Sequence, residues 1–178
     1  MKKMLFASIA ILAALVAQGC GGPKAPADMP KLFPTTITIT QEGAPCEDAI
    51  VQLVKPEEPT YKWLIGGRTD AQGKCVIKTQ GKYEGAPEGS FAVVVYKTVT
   101  TESETRKAQP SCPADPEEAR IWSQKVHEEE RVFEHVDTKY KKATTTDLTI
   151  DVVSGKNDQT FDVGPAIEEE VQTMGPST

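Results

Sequence analysis

The sequence lacks most of the patterns on which enzymes depend. It has only two histidines in 178 residues, no serine lies in a G-x-S-x-G turn, and no glycine-rich phosphate or dinucleotide loop is present. It also lacks a basic cluster interleaved with aromatics, and its 26 acidic residues outnumber its 20 basic ones, which argues against nucleic-acid binding. We therefore expect a non-catalytic protein that needs no cofactor and does not bind nucleic acid.

Long apolar runs are also scarce, and the one at the N-terminus has the form of a secretory signal. Lys2 and Lys3 precede an uncharged stretch, 4–17, that is rich in Leu, Ile and Ala. About 16 residues separate Lys3 from Cys20, fewer than the roughly 20 that a membrane-spanning helix requires. The run therefore predicts export, with a short membrane span as an alternative.

The end of this run, Ala17-Gln18-Gly19-Cys20, resembles the lipobox of bacterial lipoproteins. In that family the signal peptide, here 1–19, is removed before the cysteine, which then carries a diacylglycerol and usually an amide-linked acyl chain. Two or more acyl chains anchor a protein stably in a bilayer. The resemblance implies attachment through Cys20 to the cell membrane or outer membrane, facing the periplasm or the cell surface. Simple secretion is the other alternative.

The remaining chain divides by composition. Residues 20–33 are rich in proline and glycine without a period, which predicts a flexible tether. From residue 34, alternation of apolar and polar residues predicts β-strands. The clearest stretches are TTITIT (35–40), DAIVQLV (48–54), KCVIKT (74–79), SFAVVVYK (90–97) and DLTIDVV (147–153). Short strands between Gly/Pro turns predict a mainly β domain, an antiparallel sandwich over 34–164.

One segment, 100–138, interrupts the strand pattern. Asp115 followed by Pro116 and two glutamates is typical of a helix N-terminus. The apolar residues of one face predict a helix over about 115–135 that lies on the sandwich. That face consists of Ala119, Trp122, Val126 and Phe133. The acidic C-terminal stretch, 165–178, is predicted to be a disordered tail.

The order of these pieces resembles the carboxypeptidase-regulatory-like family, which recurs in small bacterial lipoproteins. The matching stretches are GAPCEDAIVQL (43–53), RTDAQGKCVI (68–77), APEGSFAVVVYK (86–97) and residues 139–163. The resemblance implies a seven-stranded immunoglobulin-like or transthyretin-like sandwich, with the helix of 100–138 as an insertion. Because the shared motifs are turns and strands, they specify fold and not activity. We expect a lipoprotein that presents an interaction module to an unidentified envelope protein.

Three cysteines remain after acylation of Cys20. The resemblance implies a Cys46–Cys75 disulfide, because the family usually has large apolar core residues at both places. The alternative is two buried thiols. Cys112, within PSCPADP, is then exposed and unpaired.

Two weaker functional hypotheses come from single groups of residues. Tyr61 and Trp63 could form a stacking platform for sugars, which would make the protein a carbohydrate-binding module of the envelope. His127 and Glu130 have the i, i+3 spacing of zinc ligands, but His135 cannot complete a tetrahedral set from the same helix, so a metal-dependent hydrolase is a remote alternative. Asp70 could bind calcium, although capping the turn 70–73 is the favoured role.

Overall fold

The computed structural model describes residues 25–58 and 61–171. The predicted signal peptide, the acylation site Cys20 and residues 172–178 lie outside this part of the chain. None of the helices described is long and apolar enough to cross a bilayer. The fold is mainly β with two α-helices, which confirms the fold class predicted from the alternating sequence.

The described residues form fifteen strands, many of them only two residues long, so the predicted count of seven strands is not confirmed. The first strands are β1 (Leu32–Phe33), β2 (Thr35–Gln41), β3 (Ala44–Pro45), β4 (Ile50–Val54), β5 (Ile65–Arg68), β6 (Lys74–Val76), β7 (Lys78–Thr79) and β8 (Tyr83–Glu84). The later strands are β9 (Ala86–Pro87), β10 (Gly89–Tyr96), β11 (Thr98–Thr100), β12 (Val132–Glu134), β13 (Thr149–Val152), β14 (Asn157–Asp162) and β15 (Glu169–Glu170). The helices are α1 (Glu104–Ala108) and α2 (Pro116–Glu129), with a 3₁₀ turn at Thr138–Lys141.

Two sheets account for most of the domain. One is antiparallel, in the order β13-β10-β4-β5-β7-β8. The other contains β14, β2 and β3, with β6 paired to the same edge of β2 as β3. β14 runs parallel to β2, whereas every pairing was predicted to be antiparallel. The exception arises because the turn at 153–156 carries the chain from β13 in one sheet to β14 in the other.

The buried sides of both sheets share one core. Alternate residues of β2 and β10 point into it, which is the period of two that the sequence shows. They are Ile37, Ile39, Phe91, Val93 and Val95, all almost completely buried. Side chains of β4, β5, β6 and β13 complete the same cluster, so hydrophobic burial holds the two sheets together.

Strand register gives the domain two distinct ends. At one end, which we call the proximal end, β1 pairs with β9, Gly89 is opposite Val152, and the Asn157 amide donates to the Pro34 carbonyl at 2.9 Å. The segments at the proximal end are 25–34, 54–58, 61–65, 79–90 and 152–157. At the opposite, distal end, Ile50 pairs with both Tyr96 and Arg68.

The predicted insertion extends from the distal end, and its helix is shorter than expected. β11 pairs with β12, and α1 and α2 pack together between them. α2 begins as predicted, because Asp115 Oδ1 accepts from the amides of Glu117 and Glu118 at 3.0 and 3.1 Å. It ends at Glu129 and not near residue 135, because Glu130 adopts extended backbone and Val132–Glu134 pairs as a strand. Phe133 therefore lies on β12 and not on the helix face.

The structure also corrects both predicted flexible segments. Within the predicted tether, Phe33 is buried in the core and Leu32–Phe33 forms β1, while Asp28 pairs with Lys62. Within the predicted disordered tail, Glu169–Glu170 forms β15 beside β12, and the Ile167 amide donates to the His135 carbonyl at 3.3 Å. The described parts of both segments, 25–33 and 165–171, each add a strand to an open edge, a pairing that local composition does not predict.

Candidate functional site

The predicted aromatic platform lies at the proximal end. Tyr61 and Trp63 precede β5, and both half-buried rings pack against the core. They line a shallow pocket of about 200 Å³ together with Gln52, Lys55 and Glu58. Burial raises the pKa of the Tyr61 hydroxyl, so this phenol stays neutral and can donate a hydrogen bond.

Lysines cover one face of each of these rings. The Lys55 ammonium lies 4.5 Å from the centroid of Tyr61, and Lys62 lies 4.5 Å from that of Trp63. Lys55 also forms an ion pair with Glu58 at 3.1 Å. Since each ring is half-buried against the core and also carries a lysine over one face, little ring face is free for stacking. The site therefore presents aromatic rings covered by lysine ammonium groups. It is not an open aromatic surface of the kind on which a sugar ring stacks.

The predicted disulfide is not present in this structure. Cys46 and Cys75 are both buried and free, and Cys112 is exposed and free, as predicted. Cys75 lies opposite Ile37 of β2, whereas the Cys46 amide donates to the carbonyl of Ile39 at 3.0 Å, two residues further along the strand. Burial raises the pKa of Cys75 to about 11 and also raises that of Cys46, so both thiols are protonated at neutral pH.

Two of the residues considered for metal binding, Glu130 and Asp70, serve other roles. His127 is exposed on α2, and Glu130 pairs with Arg106 at 3.0 Å. Over the residues described, no group of three or more His, Cys, Asp or Glu side chains could hold a metal ion. Asp70 caps its turn as favoured, because its Oδ1 accepts from the amides of Gln72 and Lys74 at 3.0 and 2.9 Å.

The two-helix insertion is held together by contacts that the sequence did not suggest. Glu129 at the end of α2 accepts from the amide and hydroxyl of Thr105 at 2.8 and 2.9 Å, which ties α2 to α1. The guanidinium of Arg106 stacks over Trp122, 5.6 Å from its centroid, and the Trp122 indole donates to the Gln109 carbonyl at 3.1 Å. These contacts join residues 13 to 24 positions apart in the chain, and no local pattern reveals them.

The insertion therefore has its own packing and an exposed apolar residue. Val126 is the buried residue of α2, and Trp122 is half-buried against α1. Ile121, on a different face of α2, is 43% exposed, and Val99 on β11 is 42% exposed. The helix does not cover the core of the domain, contrary to the prediction, because its apolar face is used by α1.

Comparison with known proteins gives no match: no protein-family model, no curated protein and no solved structure matches the chain. The resemblance to the carboxypeptidase-regulatory-like family therefore stays a prediction.

Proposed function

We propose that this chain is a non-catalytic lipoprotein of the bacterial cell envelope, anchored through acyl chains on Cys20. Its β domain holds the helical insertion, which in the structure includes β11 and β12 and covers 97–138, away from the membrane for contact with an envelope protein. The observation that carries this proposal is that two segments lie at opposite ends of the domain. The N-terminal segment enters the domain at the proximal end, and the insertion extends from the distal end. The longest strand between these ends, β10, has eight residues and spans about 23 Å at roughly 3.3 Å per step.

We propose the same fold that the resemblance implies, an immunoglobulin-like or transthyretin-like sandwich. Two observations support it. Two sheets share one core, and β14 returns alongside β2 to complete the smaller sheet. The short additional strands, such as β1, β3 and β9, then extend a sandwich of longer strands. The two-helix segment is an insertion between β10 and β13 in this arrangement.

The insertion offers the best surface for recognition. It carries ten acidic residues against six basic ones in 97–138, and Ile121 and Val99 are exposed on it. An apolar residue within an acidic surround favours a partner surface that has an apolar pocket rimmed by Lys or Arg. The internal contacts of Glu129 and Arg106 hold α2 in place without a partner, which lowers the entropy lost on binding.

Photocrosslinking in intact membranes tests this function. A photoreactive amino acid at Ile121 is expected to capture one reproducible envelope protein, whereas the same group at Val76, an exposed residue of β6, is expected to capture none. Equal patterns from the two positions would overturn the assignment of the insertion. Anchoring is measured separately, by mass spectrometry of the mature N-terminus and by membrane fractionation of Cys20→Ser.

A carbohydrate-binding module is the second candidate, favoured by the pocket at Tyr61 and Trp63. A soluble saccharide bound there should shift the fluorescence of Trp63, and Trp63→Ala should abolish binding on a glycan array. Trp122→Ala is the matched control, because this residue lies on the insertion. Absence of any array signal would remove this candidate. No observation favours a metal-dependent hydrolase at His127.

A further inference from the structure

Five large apolar residues are exposed in the part of the chain that the structure describes, and two lie at the proximal end. Leu64 is 62% exposed and Val153 is 55% exposed. Leu64 directly precedes β5 and Val153 directly follows β13, at the same end of one sheet. Three strand spacings separate them, or about 14 Å. With Lys62 and half-buried Trp63 they form a surface that we call the proximal patch.

The charge of the proximal end differs from that of the whole chain. Its described segments carry five lysines and five acidic residues, and so have no net charge, while the full chain has a net charge of −6. The residues concerned are Asp28, Lys31, Lys55, Glu57, Glu58, Lys62, Lys82, Glu84, Glu88 and Lys156. The acidic excess lies instead in the insertion and in β15, at the other end. Anionic headgroups therefore repel the acidic insertion at the distal end but not the proximal end, which has no net charge.

The side chains of the proximal patch suit a lipid–water interface. Trp63 has an apolar ring and a polar N–H, a combination enriched at the headgroup level of membranes. The Lys62 ammonium lies over that ring and pairs with Asp28, but its side chain is 58% exposed, so it remains accessible to phosphates at a membrane surface. Leu64, the next residue, exposes most of its side chain and can enter the acyl boundary.

Chain length keeps this patch close to the proposed anchor. Asp28 forms an ion pair with Lys62, so residue 28 lies close to Trp63. Seven residues lie between Asp28 and Cys20, and the eight Cα–Cα steps span at most about 28 Å fully extended, or about 15 Å on average for a flexible chain. A bilayer holding the acyl chains of Cys20 is therefore always within reach of the proximal end.

We propose that the proximal patch docks on the lipid headgroups of the membrane that holds the anchor, with Leu64, Val153 and Trp63 at the interface. This inference rests on the proposed acylation of Cys20. Docking orients the sheets steeply to the membrane and directs the insertion outward. The acyl anchor keeps the proximal patch at a high effective concentration near the bilayer, so docking is favoured over free rotation of the domain on its tether.

The two tryptophans allow a direct test in the mature acylated protein, reconstituted in phosphatidylcholine vesicles. In Trp122→Phe the remaining Trp63 is expected to shift to the blue and to be quenched by lipids brominated near the headgroup. In Trp63→Phe the remaining Trp122 is expected to show neither change. Leu64→Asp should lower the ratio of docked to undocked protein about tenfold, since it removes most of a buried leucine side chain from the interface. Val99→Asp, at the distal end, should leave the ratio unchanged.

The outcomes separate docking from anchoring. Equal quenching of Trp63 and Trp122, in protein whose acyl chains are verified by mass spectrometry, would overturn docking and leave anchoring intact. A mature N-terminus without acyl chains would remove the anchor on which docking rests. A fluorescence change of Trp63 with soluble saccharide, and none with vesicles, would assign the patch to sugars instead. Melting curves of Leu64→Asp verify that this exposed substitution leaves the fold intact.

Discussion

Replacing Phe33 by alanine tests whether residues 25–33 belong to the folded domain. Phe33 is 8% exposed, joins the core, and holds β1 against β9. Removing a phenylalanine side chain takes roughly 150 Å² or more of apolar surface out of the core, or about 4 kcal/mol at 25 cal/mol per Å². Because the unfolded chain already buries part of this area, we expect a loss of about 3 kcal/mol in the free energy of unfolding.

Urea denaturation followed by circular dichroism measures this loss, and thermal melting should show a fall of about 10 °C for a domain of this size. Leu32→Ala is the matched control: Leu32 is the neighbouring residue of β1 but is only half-buried, so its loss should be less than half as large. Limited proteolysis reports the same event locally, since freeing β1 exposes 25–33 to cleavage. A loss below about 1 kcal/mol for Phe33→Ala would refute the reasoning.

Gly85→Ala reaches the same segment from the other side. Gly85 has φ of +102°, and a Cβ there would lie 2.4 Å from the carbonyl oxygen of Phe33. We expect the free energy of unfolding to fall by about 2 kcal/mol, and limited proteolysis to cleave within 25–33 although Phe33 is retained. Unchanged protection of that segment would show that β1 tolerates the displacement.

Three further measurements address the thiols, the helix cap and the pH dependence. At pH 8, alkylation of the native protein should modify Cys112 alone. In urea without reductant, Cys46 and Cys75 should also become alkylated, whereas alkylation of these two only after reduction would demonstrate the disulfide. Asp115→Ala should lower the free energy of unfolding by about 1 kcal/mol and reduce the protection of amides in the first turn of α2 from hydrogen exchange. Hydrogen bonds from the amides of Gly43 and Gly164 lower the pKa of Asp162, so its stabilisation is present above the pKa of the unfolded chain and is lost as pH falls through the folded value. Asp162→Asn should therefore lower the free energy of unfolding at neutral pH and reduce its dependence on pH in the acid range. An unchanged pH dependence in urea denaturation of this variant would contradict the argument.

Local sequence predicted the elements whose physics is local. Alternation placed Ile37 and Ile39 on the buried side of β2, because a strand's side chains point to opposite faces in turn. Asp115 and Pro116 marked the start of α2, because a side-chain oxygen and a residue without an amide both suit a helix N-terminus. Asp70 and Gly73 likewise predicted their turn. The sequence alone also predicts the signal peptide and the acylation of Cys20, which lie outside the described residues.

Tertiary structure decided everything that depends on residues far apart in the chain. Residues 25–33 and 165–171 have the composition of flexible segments, yet β1 and β15 are ordered because open strand edges elsewhere accept their hydrogen bonds. The apolar face of α2 predicted contact with the sheets, but α1 covers it, and no periodicity tells which surface an apolar face will meet. The two ends of the domain exist only through strand register. Strand register brings five separate segments together at one end that has no net charge and places the acidic insertion at the other end, because pairing between distant strands sets strand direction in a β fold.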